Sequence, residues 1–457
     1  MKRRFGILIL LKVAVLNAEP VNFRDHVLPL FKESCNNCHN PDKMKADLDL
    51  TSVAGILKGS SGGEIVRVGT PDSSVLFQAM NHDDDFEPMP PKKPKLDEKS
   101  LALVRDWIAG GMIPHAGGES GLRDVSYEVA AGSMEKPDEV AIPVGLGEAG
   151  KERVPVLALA ASPWADVIAV AGHREILMYA PRETDLSLVG AIPFDPGAIH
   201  HLGFSPNGSL LLAAGGKGAH SGVVNLYDVK SGKLQAALGD EQDVVLAADI
   251  RADHEQVALG GPSRMVKIFQ SKDGSLQHRI EKHTDWVTAV RFSPDGSLLA
   301  SGDRNGAVHV WESKTGGIIF SLSEHKAAIT DLAWRPDGKV LATAGEGGKL
   351  VLWSMEDGFP LRAIKAHEEK SSDRYTRHTG ALSVAYLPDG GLATSGRDRM
   401  LRLWKTNGAK AKEFGKMPDL PIATAVSHDG KRIFMGHQDG RVLLWNMASK
   451  TSLELKR

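Results

Sequence analysis

The sequence predicts two folded parts of different class: a small all-α domain, then an all-β domain built from seven repeated units. Three observations carry this. Apolar residues recur at helical spacing on both sides of a Cys-x-x-Cys-His stretch near the N-terminus. From residue 151 onward aromatic residues return at a near-constant interval, with Phe269, Trp311 and Trp353 spaced 42 residues apart. Each of those aromatics closes a segment of alternating apolar residues that follows a glycine-containing turn, the pattern of half-buried antiparallel strands. The length of 457 residues agrees with a multidomain chain, and a formal net charge of −2 gives no reason to expect a nucleic-acid partner.

The chain begins with Lys2-Arg3-Arg4, an apolar stretch from Phe5 to Leu16, and Ala18. Residues 1–18 read as a secretory signal peptide. Lys12 interrupts the apolar stretch and Leu16 is large for its place before a cleavage site, so an uncleaved anchor holding the chain at a membrane is the alternative. No later apolar run reaches 18 residues, and the mature chain is expected to be soluble and periplasmic or otherwise exported.

Residues 20–115 form the α domain. Phe23, Val27, Leu30 and Phe31 repeat at helical spacing and lead into Cys35-Asn36-Asn37-Cys38-His39, which holds both cysteines of the chain. Cys-x-x-Cys-His is the attachment signal of a c-type haem. On a helix, positions i, i+3 and i+4 share a face, so both thiols reach one porphyrin and the imidazole reaches its iron. A disulfide or a thioredoxin-like pair would not need His39, and a zinc site would need more ligands. One covalently bound haem c, held by Cys35, Cys38 and His39, is therefore expected. A second axial ligand is required. Met89 in Glu87-Pro88-Met89-Pro90-Pro91-Lys92 is the choice, because methionine is the usual partner of histidine and flanking prolines stiffen its loop. Met44, Met80 and Met112 are expected to pack, His82 would give bis-histidine ligation, and His26 and His115 read as surface or packing residues. Leu101, Val104, Trp107 and Ile108 mark a last helix, with Asp97 as N-cap and Gly110-Gly111 as its stop.

The run from Phe23 to Ile113 resembles the planctomycete-type cytochrome c domain. The resemblance rests on the early Cys-x-x-Cys-His, the middle Gly69, Pro71, Ser74 and Leu76, and Met-Pro-Pro before a helix ending in Trp107-Ile108. It implies a cytochrome c fold around one haem. The acidic run Asp83-Asp84-Asp85 departs from the pattern and reads as a solvated loop.

Residues 116–150, rich in glycine, read as a flexible linker, with Val125 to Val129 a candidate strand. Residues 151–457 carry the repeats. Turns such as "FSPDGSLLASG" and "WRPDGKVLATAG" precede strands such as "GAVHVWE" and "GKLVLWS", and two weaker copies near Tyr179 and Phe269 bring the total to seven. This resembles the seven-bladed WD-repeat β-propeller. The resemblance implies a structural polar network: His283, His325 and His378 ahead of their blades, Ser301, Thr343 and Thr394 ten residues before the tryptophans, and turn aspartates at Asp398 and Asp439, from which Asn305 and Gly347 depart. Blade six is expected to hold the full set of His378, Thr394, Asp398 and Trp404. Residues 367–377 form an extra loop. Thr451 to Leu455 is expected to supply the outer strand of the last blade, with strand exchange near Val154 as the alternative.

The functional expectation is an exported mono-haem electron carrier whose propeller is a protein-interaction platform, with a redox partner protein and a propeller-bound protein. No Ser-His-Asp constellation, second haem motif or phosphate loop is apparent, and no catalytic residue is assigned. The alternatives are an oxidoreductase of the haem-d nitrite reductase type, whose propeller has eight blades, and a redox sensor or scaffold.

Overall fold

A computed structural model describes residues 21–457 apart from 42, 84–85, 92, 113–128, 183–184, 368–379, 450 and 456–457. The chain divides into two compact units, Met1–Asp124 and Val125–Arg457.

The first unit is helical. A π-helical turn, Phe23–Val27, runs into α1 (Leu28–Ser34), followed by α2 (Val53–Lys58), α3 (Val75–Asn81) and α4 (Glu98–Ala109). Phe23, Val27 and Phe31 share a face and are buried against Trp107 of α4. The aromatic rings interlock, with Phe23–Trp107 centroids 5.3 Å apart and Phe31 edge-on to Trp107 at 6.5 Å. Asp97 caps α4 by accepting from the Ser100 amide at 2.8 Å, and Gly111 takes a positive φ of 90° just past the end. In the middle segment, Gly69 turns with φ 84° and donates its amide to the Ile108 carbonyl. The buried Ser74 hydroxyl accepts from the Arg67 amide and donates to the Thr70 carbonyl, which fixes the start of α3.

The second unit is a ring of seven four-stranded antiparallel sheets, at residues 159–193, 198–241, 247–280, 287–322, 329–365, 381–414 and 421–454. The number is seven, not the eight of the haem-d type alternative. In every sheet the strands are consecutive in the chain, and Ser452–Glu454 completes the last one. The ring therefore closes without strand exchange. Closure rests on an apolar cluster that joins Val156, Leu159 and Val170 to Phe434, Val442 and Leu444. The Val156 amide adds a bond to the His437 carbonyl at 3.1 Å, and Arg432 pairs with Asp166 at 2.9 Å.

The polar network appears inside the blades. In blade four, His283 meets Asp303 through Nδ1 (2.9 Å) and Ser301 through Nε2 (2.7 Å), while Trp311 donates to the same Ser301 oxygen at 2.8 Å. Asp303, two residues before Asn305, thus takes the aspartate role that Asn305 vacates. Blade five keeps His325, Thr343 and Trp353. In blade six the histidine is His367, not the expected His378. His367 Nδ1 meets Asp398 at 2.9 Å and its Nε2 meets Thr394 at 2.9 Å, with Trp404 donating to Thr394. The extra residues lie after this histidine, so counting back from the strand picks the wrong one; His378 itself falls outside the described residues. Blade seven has Met435 where the hydroxyl stands elsewhere, and the Trp445 Nε1 is buried without a partner.

Within the stretch expected as a linker, residues 129–150 lie along the propeller. Val129 packs on the core between blades two and three, and His254 Nδ1 meets the Ala130 carbonyl at 2.9 Å. The Gly132 amide donates to Asp253, and a Cβ at Gly132 would stand 2.3 Å from the His254 ring, so only glycine fits. Leu146 packs on the core of blades one and two, Gly147 bridges to Ala191, and the Val144 amide bonds Lys230. Val129 is not in a strand, and the rest of the candidate strand, 125–128, lies outside the described residues.

A propeller chain starting at Val129 is expected to be soluble and to unfold in one transition. A chain starting at Glu148 loses the Leu146 burial and three backbone bonds, roughly 2–4 kcal/mol, and its Tm should fall by about 5 °C or more. Thermal unfolding followed by circular dichroism checks both, and equal midpoints would show that the segment contributes nothing.

Candidate functional site

The Cys-x-x-Cys-His motif begins one residue past the end of α1. Cys35 leaves the helix, and the chain continues as a single turn in which the Cys38 and His39 amides both donate to the Cys35 carbonyl, at 3.1 and 3.2 Å. The motif is thus not on a regular helix, yet this turn keeps the i, i+3 and i+4 relation that places two sulfurs and an imidazole together. Cys35 is half-buried against the apolar core, Cys38 is exposed, and both thiols are free. Burial pushes the Cys35 thiol up to about 11, and the Lys93 ammonium offsets part of that rise. Cys35 therefore stays protonated near neutral pH, unlike the low-pKa thiolate of a redox pair.

His39 is set by its neighbours. Its Nδ1 lies 3.0 Å from the Lys45 carbonyl, so the neutral ring carries its proton on Nδ1 and leaves Nε2 as a bare lone pair. Among the described residues no hydrogen-bond partner meets Nε2. Burial, then the Lys45 charge, hold the imidazole below its usual pKa of 6.5, against the opposing pull of the Lys45 carbonyl. The loop from Asn40 to Leu50 wraps the motif: the Lys45 amide donates to Cys38, the Leu50 amide to His39, and the Lys43 ammonium to Asn37.

The remaining expected residues separate clearly. Met89 is half-buried, and its amide donates to the Ala79 carbonyl at the end of α3 at 3.0 Å. Met80 and Met112 lie in the apolar core, 1 % and 2 % exposed. Met44 is half-buried in the wrapping loop. His82 caps α3 with φ 59°, and its Nε2 is buried without a partner. His26 accepts from the Asn22 amide and is a packing residue, whereas His115 lies outside the described residues. Two free thiols and a neutral imidazole with an unengaged nitrogen form the donor set that covalent haem requires, and the residues fit the group.

These comparisons place the two units. Residues 35–93 match the family model described as Planctomycete cytochrome C. Residues 274–312 and 369–405 match the WD domain, G-beta repeat, and residues 317–386 match the Anaphase-promoting complex subunit 4 WD40 domain. The chain joins a cytochrome c-like segment to a seven-bladed WD-repeat propeller. It is a haem-binding propeller protein. No curated protein matches the sequence. Among solved structures, a chain in "Crystal Structure of Mitotic Checkpoint Complex" is similar at TM-score 0.56 and 19 % identity, over 70 % of this chain and 99 % of that one, a likeness of fold alone.

Sequence reasoning missed a polar cluster on the innermost strands of the propeller. Arg291 of blade four donates to His201 Nε2 of blade two at 2.9 Å, and its other nitrogen lies 3.8 Å from Asp331 of blade five. Burial raises Asp249 and Asp331 from the usual aspartate pKa, with Arg291 pulling both back, while burial and then Arg291 drive His201 well below 6.5. Asp249 and Asp331 also accept the Phe292 and Val384 amides of following blades. The cluster spans four blades, two to five, and its groups are spent on one another. Its only sequence signal is charge at normally apolar inward positions. Among the described residues, no helix is long and apolar enough to cross a membrane.

Proposed function

We propose that this chain is an exported mono-haem c-type cytochrome that carries single electrons, with the propeller as its protein-docking platform. The observation that supports it most directly is His39: one ring nitrogen is fixed by the Lys45 carbonyl and the other is left for a metal, beside the chain's two thiols. Cys35 and Cys38 would each hold the porphyrin through a thioether, formed by addition of S–H across a vinyl group with no atom lost. His39 Nε2 and Met89 sulfur would hold the iron. The haem supplies a one-electron couple when bound. With both axial positions filled from the protein, no open position remains for a substrate, which favours a carrier over an enzyme. Trp107, Phe31 and Phe23 keep water from the side on which Cys35 packs. The N-terminal signal pattern and the cytochrome match support export to the periplasm or beyond.

The redox partner is an acidic protein. Lys93 stands close enough to perturb Cys35, and Lys95 is exposed nearby in sequence; Lys92 lies outside the described residues. In the acidic run, Asp83 is occupied by Asn81 at 2.6 Å, and Asp84 and Asp85 lie outside the described residues. On the propeller, Trp286 is 41 % exposed under the Arg304 guanidinium, 4.9 Å from its ring centroid, the aromatic and arginine pairing that protein interfaces favour. A protein partner fits this surface.

Acid-acetone extraction should leave haem on the full chain, and Cys35→Ala with Cys38→Ala should release it. Haem retained by the double variant overturns covalent attachment.

For the sixth ligand, the oxidised protein should show the weak near-infrared sulfur-to-iron band of methionine ligation. Met89→His should abolish the band and lower the reduction potential. A variant with the parent's band and potential moves the ligand elsewhere, and His82 with its unpartnered nitrogen is then next in line.

Electron transfer to an acidic acceptor should slow as salt rises, because exposed charges are screened over about 10 Å at 0.1 M. Changing Lys92, Lys93 and Lys95 to Gln should lower the rate severalfold and flatten its salt dependence. The same rate and the same salt slope as the parent would place the electron port elsewhere.

A further inference from the structure

We infer that Ala46 is a positioning residue for His39: its left-handed backbone aims the Lys45 carbonyl at the imidazole. The inference rests on the reading of His39 as the proximal haem ligand. Met44, Ala46 and Asp47 have φ of 35°, 59° and 55°, three residues of a four-residue stretch in the region that favours glycine, and none of them is glycine. A backbone conformation of this kind persists only where its surroundings over-determine it. Here they do. The Met44 amide donates to Asn40 at 2.8 Å, the Lys45 amide to Cys38 at 3.1 Å and the Asp47 amide to Met44 at 2.8 Å, while the Ala46 carbonyl accepts from Ser61 at 2.8 Å.

Lys45 thereby touches the haem motif twice, through its amide on Cys38 and its carbonyl on His39 Nδ1 at 3.0 Å. The plane of the peptide carrying that carbonyl is set by ψ of Lys45 and φ of Ala46. With the Ala46 carbonyl held by the Ser61 amide, φ of Ala46 decides where the Lys45 carbonyl points. Ala46 is exposed, so a larger side chain meets no core and acts only through the backbone. A β-branched residue resists positive φ more strongly than alanine, and the peptide would rotate its carbonyl away from the ring. Two consequences follow. The neutral imidazole loses its fixed tautomer, and the ligand loses the acceptor that makes it electron-rich, so the ferrous state gains relative to the ferric.

The test uses the full chain with ¹⁵N-labelled histidine, His39 being assigned by His39→Gln. In the haem-free protein above pH 8, the parent and Ala46→Gly should show His39 almost wholly as the Nδ1–H tautomer. Ala46→Val should show a mixture, with Nδ1 proton exchange faster by about tenfold or more. In the haem-loaded protein, Ala46→Val should have a higher reduction potential than the parent, and Ala46→Gly should restore it. If the valine variant does not fold, Ala46→Leu, unbranched at Cβ, takes its place with smaller shifts in the same directions. Parent-like tautomer and potential in both larger variants overturn the inference. Absence of haem from the parent overturns the proposed function instead, and the haem-free tautomer measurement still decides the role of Ala46.

Discussion

Blades four to six depend on one repeated interaction, the chain of hydrogen bonds that runs from an indole through a hydroxyl to an imidazole and, in blades four and six, on to a carboxylate. In blade six this is Trp404 to Thr394 to His367 to Asp398. It joins the third strand to the second, and the second to the loop that enters the blade. Each bond is worth only about 0.5–1.5 kcal/mol net, but leaving any buried member unpaired would cost more. The chain is complete in blades four and six, lacks its carboxylate in blade five, and is absent in blade seven, where Trp445 has no acceptor. Blade seven is also where the ring closes without strand exchange. Closure is therefore carried by an apolar cluster, the backbone bond from Val156 to His437, and the Arg432–Asp166 and Arg153–Glu454 pairs around them. The exposed Arg153–Glu454 pair adds little to that.

The cytochrome unit is organised differently, because its fixed point is a turn. Phe23, Phe31 and Trp107 form an aromatic centre that settles how the first and last helices meet. The haem motif leaves α1 at the edge of this centre, so Cys35 is half-buried while Cys38 and the loop beyond it face outward. The wrapping loop joins this core only at its end, through Leu48 and Leu50. Backbone bonds to Cys38 and His39 hold it, and they oblige it to accept left-handed residues that local preference resists.

Most of this architecture could be read in the sequence, for physical reasons that differ by region. The seven repeats were legible because each blade repeats a glycine turn and an alternating apolar strand that ends in an aromatic or tryptophan, and blades four to six add a hydroxyl ten residues before that tryptophan. The haem motif was legible because three reactive side chains within five residues admit few chemistries. His367 was not, since an insertion of unknown placement breaks the counting that works in blades four and five. The course of residues 129–150 was hidden for another reason. Glycine-rich composition signals flexibility, yet Gly132 is glycine because the His254 ring leaves no room for a Cβ. Ala46 gave no signal at all, because nothing in the identity of an alanine announces a positive φ. The Arg291 cluster was hidden because its members come from four blades and meet only when the ring closes.

The two units use the same side chain to opposite ends, and the contrast separates structure from chemistry. In blade four, Asp303, His283 and Ser301 stand in the order and at the distances of a nucleophilic triad. The serine is fully buried, its oxygen already accepts from Trp311, and no substrate atom could approach it. Both nitrogens of His283 are engaged, so the ring has no capacity left and serves as a strut. His39 has one nitrogen engaged and one open, beside thiols that nothing else occupies. Distance alone would rank blade four as the reactive site. Counting unspent donors and acceptors reverses that ranking in favour of the turn after α1.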